Sequence, residues 1–450
     1  MNVIGLDMGT TTLSAVVVDS ESGAMPQILN IANGAALDPA EPFERLQDPE
    51  IIAQRALGLV DALKRSRDIA AIGLDGQMHG IVYVDADGRA VSPLYTWQDQ
   101  RGAEPLGDTT CAGELAHRTG RPVSTGYGLV THFWNVLNGR VPEGAAKLCT
   151  IYDYIGMRLT GRKTPLLHVS SAASMGLVDP STGQWDVAAI RRAGMDPAIL
   201  PEVTDECTII GRDPDGIPVC CGLGDNQASF IGTVREMEGS VLMNMGTGGQ
   251  ISMLAGCAAA QGDLEARPLG GGQSILVGSM LCGGRAYALL EGFMRSCAKL
   301  AGDAEQPLYE AMNRLGFALL DNDRPLTVDT RFNGTRARPE LRGSIAGIGI
   351  DNFDAGHLVA GTLLGMAKEL HGLYEAMLAA GSAPATRMIG SGNGIRRNPA
   401  LKRAFEKVFC LPMRVPAHAE EAAFGAALAA MTAAGLKPSL EAAQRLIQYN

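Results

Sequence analysis

The chain lacks the marks of several common protein classes. No Gly-Lys dipeptide occurs in its 450 residues, so a Walker A phosphate loop is absent. Gly-x-Gly-x-x-Gly is missing too, as are the His-Arg-Asp and Asp-Phe-Gly of protein kinases. These absences exclude the dinucleotide, P-loop and protein-kinase routes to nucleotide binding. The nine cysteines include no Cys-x-x-Cys, and the only close pair is Cys220 with Cys221. That spacing suits neither zinc nor a disulfide framework, so buried thiols in a reducing compartment are expected. No apolar run reaches the ~18 residues of a membrane span. Asp7 interrupts the first apolar run and no basic segment precedes it, so no signal peptide and a cytoplasmic location are expected. Lys/Arg-rich blocks are absent, and with a net charge of −10 neither nucleic acid nor membrane is an expected partner.

The chain does have enough apolar residues for large cores: 46% hydrophobic against 19% charged, over a length that suits two or three domains. Residues 3–19, VIGLDMGTTTLSAVVVD, read as two strands around a Gly-Thr turn, and residues 240–255, SVLMNMGTGGQISMLA, repeat the design. Apolar runs predict further strands at 69–75, 217–221 and 386–390. Helical spacing predicts helices at 227–234, 357–380, 398–408 and 420–434. This alternation is that of an α/β protein. The stretch 232–240, GTVREMEGS, marks a boundary, giving domains of 1–235 and 236–450.

Three glycine-rich loops carry the chemistry: Asp7-Met8-Gly9-Thr10-Thr11-Thr12, Gly246-Thr247-Gly248-Gly249 and Gly390-Ser391-Gly392-Asn393-Gly394. Glycine lets backbone N–H groups approach a phosphate closely, and threonine hydroxyls add donors. Asp7 is of the type that holds Mg²⁺ through water. Asp225 follows the apolar run 217–221 in GLGDN; as local structure it reads as a turn or a helix N-cap.

In order along the chain, DMGTTT, GQMHG (76–80), TWQDQR (96–101), GLGDN (222–226), MGTGGQ (245–250) and GSGNGIRRNP (390–399) resemble the motifs of the FGGY carbohydrate kinases. The resemblance implies two ribonuclease-H-like (actin-like ATPase) domains with the active site in the cleft between them. It implies ATP and Mg²⁺ as cofactors, a small sugar as substrate, and leaves a homodimer open. Asp225 becomes the general base toward the sugar hydroxyl, with Asp7 and Asp225 toward the metal. Gln77, Met78, His79, Trp97, Asp99 and Asn226 fall to the sugar. Thr10, Thr11, Thr12, Gly246 and Thr247 fall to the ATP phosphates, and Gly392, Asn393 and Asn398 to the adenosine.

Each assignment has a plainer counterpart. Asn226 and Asn398 could be helix caps, the latter with Pro399 at the first helical position. Trp97 could be core, Asp99 and Arg101 an ordinary ion pair, and His79 a structural histidine. Within the family, GQMHGIVYVD and TWQDQR are most similar to the branch phosphorylating sedoheptulose to sedoheptulose 7-phosphate, with D-xylulose second. More remote alternatives are an actin-fold ATPase acting as a chaperone or scaffold, and a sugar sensor without catalysis.

Overall fold

The computed structural model describes residues 1–256, 262–300, 302, 306–322 and 324–450. It divides into two compact units. The first contains Met1–Arg235, Arg267–Gln273 and Glu420–Ile447; the second contains Glu236–Ala266, Ser274–Ala419 and Gln448–Asn450.

The first unit is built on a seven-stranded sheet of β1 (Asn2–Met8), β2 (Thr12–Asp19), β3 (Gln27–Ala32), β4 (Ile69–Gly76), β5 (Ile209–Arg212), β6 (Pro218–Cys220) and β7 (Leu223–Gly224). Its order is β5-β6-β4-β1-β2-β3, with β7 also pairing β4. β1 turns back antiparallel into β2 and lies parallel to β4. β1 and β4 are buried along almost their whole length, as strands covered on both faces must be.

The second unit repeats the plan with β8 (Ser240–Met245), β9 (Gly249–Leu254), β10 (Leu264–Gly270), β11 (Gln273–Met280), β12 (Arg387–Ser391) and β13 (Met413–Arg414). The order is β10-β11-β9-β8-β12-β13, again with an antiparallel hairpin (β8, β9) and a parallel neighbour (β8, β12) at its centre. The repeat read in the sequence is thus a repeat of topology. Four helices matter below: α1 (Asp225–Thr233), α2 (Ala355–Ala379), α3 (Pro399–Phe409) and α4 (Glu421–Ala433). α2 supplies Val359, Leu363, Met366, Leu370 and Met377 to the core of the second unit.

A cut at residue 235 gives the alanine-rich helix α4 to the second half, whereas its packing gives it to the first unit. The cause is steric. A methyl group on Gly5 of β1 would strike the Ala423 carbonyl, and one on Gly73 of β4 would strike that of Ala426. Gly232 of α1 and Gly425 of α4 meet in the same way, Gly232 against the Glu421 carbonyl and Gly425 against that of Ala228. Small residues on both sides let the helix backbone lie directly on the strands, and sequence position does not reveal that. Among the eight described cysteines, all free, Cys297 and Cys410 are exposed rather than buried; Cys257 lies outside the described residues. No described helix is long and apolar enough to cross a membrane.

The Gly73 contact yields a stability prediction. Gly73→Val should destabilise the chain by roughly 3 kcal/mol or more, because a backbone carbonyl cannot move aside. The urea midpoint would report it, and an unchanged midpoint would contradict the packing described.

Candidate active site

The site starts from a short identity within the chain. Ile4-Gly5-Leu6-Asp7 on β1 and Ile72-Gly73-Leu74-Asp75 on β4 are the same four residues, paired one for one in register. Parallel neighbours lie about 4.8 Å apart with in-register side chains on one face, so Asp7 and Asp75 are placed together. β7 adds the third acid. Leu223 pairs with Asp75 and Gly224 with Gly76, so the next residue, Asp225, opens α1 beside them.

The helix was expected from residue 227, but it begins at Asp225, with Gly224 as the capping position and no side-chain cap. Asn226 is therefore not a cap. It sits in the first turn and its backbone N–H binds the Asp225 carboxylate. The approach is tight, since Gly224 has Met78 and Gln227 where a side chain would go. Ser170 and Ser171 brace the strand: Gly224 N–H donates to Ser170 Oγ (3.3 Å), and Ser171 Oγ donates to the Gly222 carbonyl (3.2 Å).

Burial raises all three carboxyls, and repulsion from neighbouring acids adds to it at Asp7 and Asp75. Burial first, then the Asp225 charge, pushes Asp7 up to about 7. Asp75 is fully buried, and burial together with its two acidic neighbours holds it well above the carboxylate range. Asp7 and Asp75 share a hydrogen bond when one of them is protonated, which lowers Asp7 and raises Asp75; among the described residues no other group bonds the Asp75 oxygens or Asp7 Oδ1. Asp225 rises only to about 6, because the Arg267 guanidinium and the Asn226 N–H oppose the effect of burial. It also keeps some exposure, as Asp7 does, so both remain accessible. Near neutral pH, Asp225 is the most acidic of the three.

The GQMHG segment leaves β4 beside this cluster. Gln77 is buried and donates to Gln47 Oε1 (2.9 Å), while Gln47 donates to the Thr10 carbonyl (2.8 Å). Thr10 Oγ1 donates to Gln77 Oε1 (3.2 Å) and accepts from the Trp97 indole N–H (3.0 Å). Thr10 is therefore engaged with the Gln77 and Trp97 side chains, a place the phosphate assignment did not foresee. Thr11 and Thr12 stand exposed at the turn. Trp97 is 45% exposed, so it is not core.

Met78 is buried and His79 is half-buried with φ +73°, a conformation rare outside glycine and characteristic of strained functional positions. Ser174 stabilises it: Ser174 Oγ accepts from the His79 N–H (3.2 Å), and Nδ1 donates to the Ser174 carbonyl (2.6 Å). The imidazole stacks on Tyr127 with centroids 4.6 Å apart.

Asp99 was expected at the sugar and is instead fully buried. Its oxygens accept from Arg101 Nε (2.6 Å) and from the Arg45 N–H (3.1 Å). Arg101 in turn lies over Tyr95 and donates to Asn135 (2.7 Å). The plainer reading, an ion pair, is the one realised.

In the second unit, residues 246–249 form the turn between β8 and β9. It is held by Gly284 N–H to the Gly246 carbonyl (2.9 Å) and Arg285 N–H to that of Thr247 (3.0 Å). A cavity of about 340 Å³ opens on Gly246, Gly248, Gly249, Gln250 and Ser279, with Arg336 in its wall. Register places Asn244 beside Ser391, so the loop at 390–394 lies next to this turn. Gly392 has φ +82° and is crowded by the Met245 carbonyl, so only glycine fits. Asn393 opens the short helix Asn393–Arg396, and Asn398 caps α3 by accepting from Leu401 N–H (2.9 Å). The cap read for Asn398 is therefore present.

Sequence reasoning missed Asp75, Arg267, Gln47 and Arg336. The repeated Ile-Gly-Leu-Asp could have revealed Asp75. The others come from distant segments and have no local signature.

Comparisons with known proteins agree with this layout. The family model described as the FGGY family of carbohydrate kinases, N-terminal domain, matches residues 2–232, and the corresponding C-terminal domain matches 241–434. A sedoheptulokinase of Homo sapiens is 29% identical across 94% of this chain and 96% of that protein. A xylulose kinase of Streptomyces coelicolor is 27% identical across 100% of this chain and 90% of that protein. The solved xylulose kinase of Rhodospirillum rubrum superposes with a TM-score of 0.86 at 22% identity, covering 100% of this chain and 93% of that one.

Asp75 yields a prediction about pH. Its carboxyl ionises near 3.8 when unfolded and well above that when folded. Above pH ~4 the folded chain keeps a proton that the unfolded chain releases, so stability falls as pH rises. Asp75→Asn removes this term. Its melting temperature should fall less between pH 5 and pH 8 than that of the parent chain; an equal fall would mean that Asp75 is not buried as described.

Proposed function

The chain belongs to the FGGY family of carbohydrate kinases and is a phosphotransferase acting on a sugar hydroxyl; on that premise we propose that it phosphorylates a ketose, sedoheptulose before D-xylulose, with Asp225 as general base. The supporting observation is the ranking within the carboxylate cluster. Asp75 is held well above the carboxylate range and has no access to solvent, and Asp7 is raised to about 7, whereas Asp225 is raised only to about 6 and is reachable. A base must be ionised at working pH and within reach of the proton it takes.

In this reading the sugar lies against His79, Met78 and Trp97, with Gln77 holding Thr10 and Trp97 in place. Asp225 accepts the hydroxyl proton as the hydroxyl oxygen bonds to the γ-phosphorus of ATP. The bond from that phosphorus to the β–γ bridging oxygen breaks, and ADP leaves; with sedoheptulose the product is sedoheptulose 7-phosphate. Positioning and charge neutralisation do most of the work in such transfers. The turn at 246–249 takes the ATP phosphates and the loop at 390–394 takes the adenosine.

Asp7 would hold Mg²⁺, for which a carboxylate oxygen bonded by no group but Asp75 is an appropriate hard donor. Among the described residues no three His, Cys, Asp or Glu are grouped to enclose a metal, so water and phosphate would complete its shell. When bound, Mg²⁺ offsets the charge on the phosphoryl oxygens. The preference for sedoheptulose is supported by the Homo sapiens relative. The Streptomyces coelicolor relative makes D-xylulose the second choice.

Coupled ADP release across sedoheptulose, D-xylulose, D- and L-ribulose and glycerol tests the proposal. Sedoheptulose should turn over fastest, and a preference for D-xylulose would change the acceptor while leaving the chemistry intact. Asp225→Asn should lower turnover by at least ~10² while sugar affinity stays within a few-fold. Turnover near that of the parent would remove Asp225 from its role.

A further inference from the structure

The tip of the β10–β11 hairpin, Arg267–Gln273, belongs to the first unit and reads Arg-Pro-Leu-Gly-Gly-Gly-Gln. Its three glycines have φ of +96°, +60° and +72°, a run that only glycine sustains. The tip is fastened on both flanks. Gly271 N–H donates to the Asp205 carbonyl (2.7 Å), and Gly272 N–H donates to Asp205 Oδ2 (2.9 Å). The Pro268 carbonyl accepts from Gln227 Nε2 (3.2 Å), in the first turn of the helix that Asp225 opens. Gly270 has no room for a side chain, because His168 Nε2 and the Asp205 carbonyl occupy the space. His168 in turn holds Ser170, the residue that braces Gly224. The tip is thus tied to the backbone on either side of Asp225.

Arg267 opens this tip and is only 8% exposed. A guanidinium is buried at high cost unless an anion faces it. Tyr127, the ring that stacks on His79, and Asp225 are among the ionisable groups that act on it. Among the described residues Arg267 is the one cation that acts on Asp225, and it favours the ionised carboxylate against the cost of burial; the Asp225 charge in turn raises Asp7 and Asp75.

We propose that Arg267 is a positioning residue for Asp225, the glycine-locked tip holding its guanidinium against the carboxylate so that the carboxylate faces the acceptor sugar and not Asp7 and Asp75. The proposal rests on Asp225 being the base. It assigns Arg267 no contact with the reacting atoms, so its effect must pass through Asp225.

A double-mutant cycle tests this. Arg267→Met should lower kcat by roughly 10²-fold, and Arg267→Lys, which keeps the charge, should recover at least a tenth of parental turnover. ADP affinity by calorimetry should stay within about 2-fold, which separates the effect from misfolding or damage to the nucleotide loops. In an Asp225→Asn background, Arg267→Met should cost less than about 3-fold, because the group it positions is already gone. A loss in the double variant equal to the product of the single losses would overturn the proposal, as would near-parental turnover of Arg267→Met. Lysine no better than methionine would also overturn it. If Asp225→Asn itself turns over like the parent, the base assignment fails and this proposal with it. If Asp225→Asn is impaired and Arg267→Met is not, the base stands and only the role of Arg267 falls.

Discussion

Three carboxyl groups at the ends of adjacent strands, largely withdrawn from water, are the constraint on which the rest of the site depends. Like charges at one strand spacing cannot all ionise in a poorly solvated place, so the protons must be apportioned. Strand register brings Asp7 beside Asp75, and the short strand before α1 delivers Asp225 to the same point. Arg267 and the Asn226 N–H then favour ionisation of one group over the others. The tight seating of α4 on Gly5 and Gly73 fixes the two strands that carry the first pair, so helix packing and proton distribution are linked.

The internal repeat carries different chemistry at the same position in its two copies. Asp7-Met8-Gly9-Thr10 in the first unit has its counterpart in Asn244-Met245-Gly246-Thr247 of the second, and Asp75 has its counterpart in Ser391. The same paired position holds two acids in one unit and an amide with a hydroxyl in the other. Acids suit proton transfer and a cation, whereas neutral donors and glycine backbone suit phosphate. One topology thus carries acids at this position in one copy and neutral donors in the other.

Much of this was legible in the sequence because it is local. The hairpins, the long helix α2, the Asn398 cap and the glycine at 392 follow from periodicity, capping chemistry and the need for positive φ. Asp225 stands out locally by its position after a buried strand, but that position alone reads as a turn or cap, and its assignment as base came with the family resemblance. What could not be read depends on contacts between distant segments. Residues 420–447 join the first unit because glycines far away in sequence make room for α4. Asp99 is spent on Arg101, whose guanidinium lies over nearby Tyr95 and over Phe43 and Trp134 from two distant segments. Arg267 lies some forty residues beyond Asp225 in a stretch with no motif, and only folding puts it there. Asp75 is the instructive middle case, visible as a repeated tetrapeptide but meaningful only once the two copies are seen to pair.

The most direct test of the central claim, that the cluster leaves Asp225 as the ionised base, is the pH dependence of kcat/KM for the preferred ketose at saturating nucleotide. A base must be deprotonated to act, so activity should fall on the acid side. The account predicts that this acid limb has an apparent pKa near 6, the value at which Asp225 gains its proton. A rate that stays level down to pH 5 would contradict it.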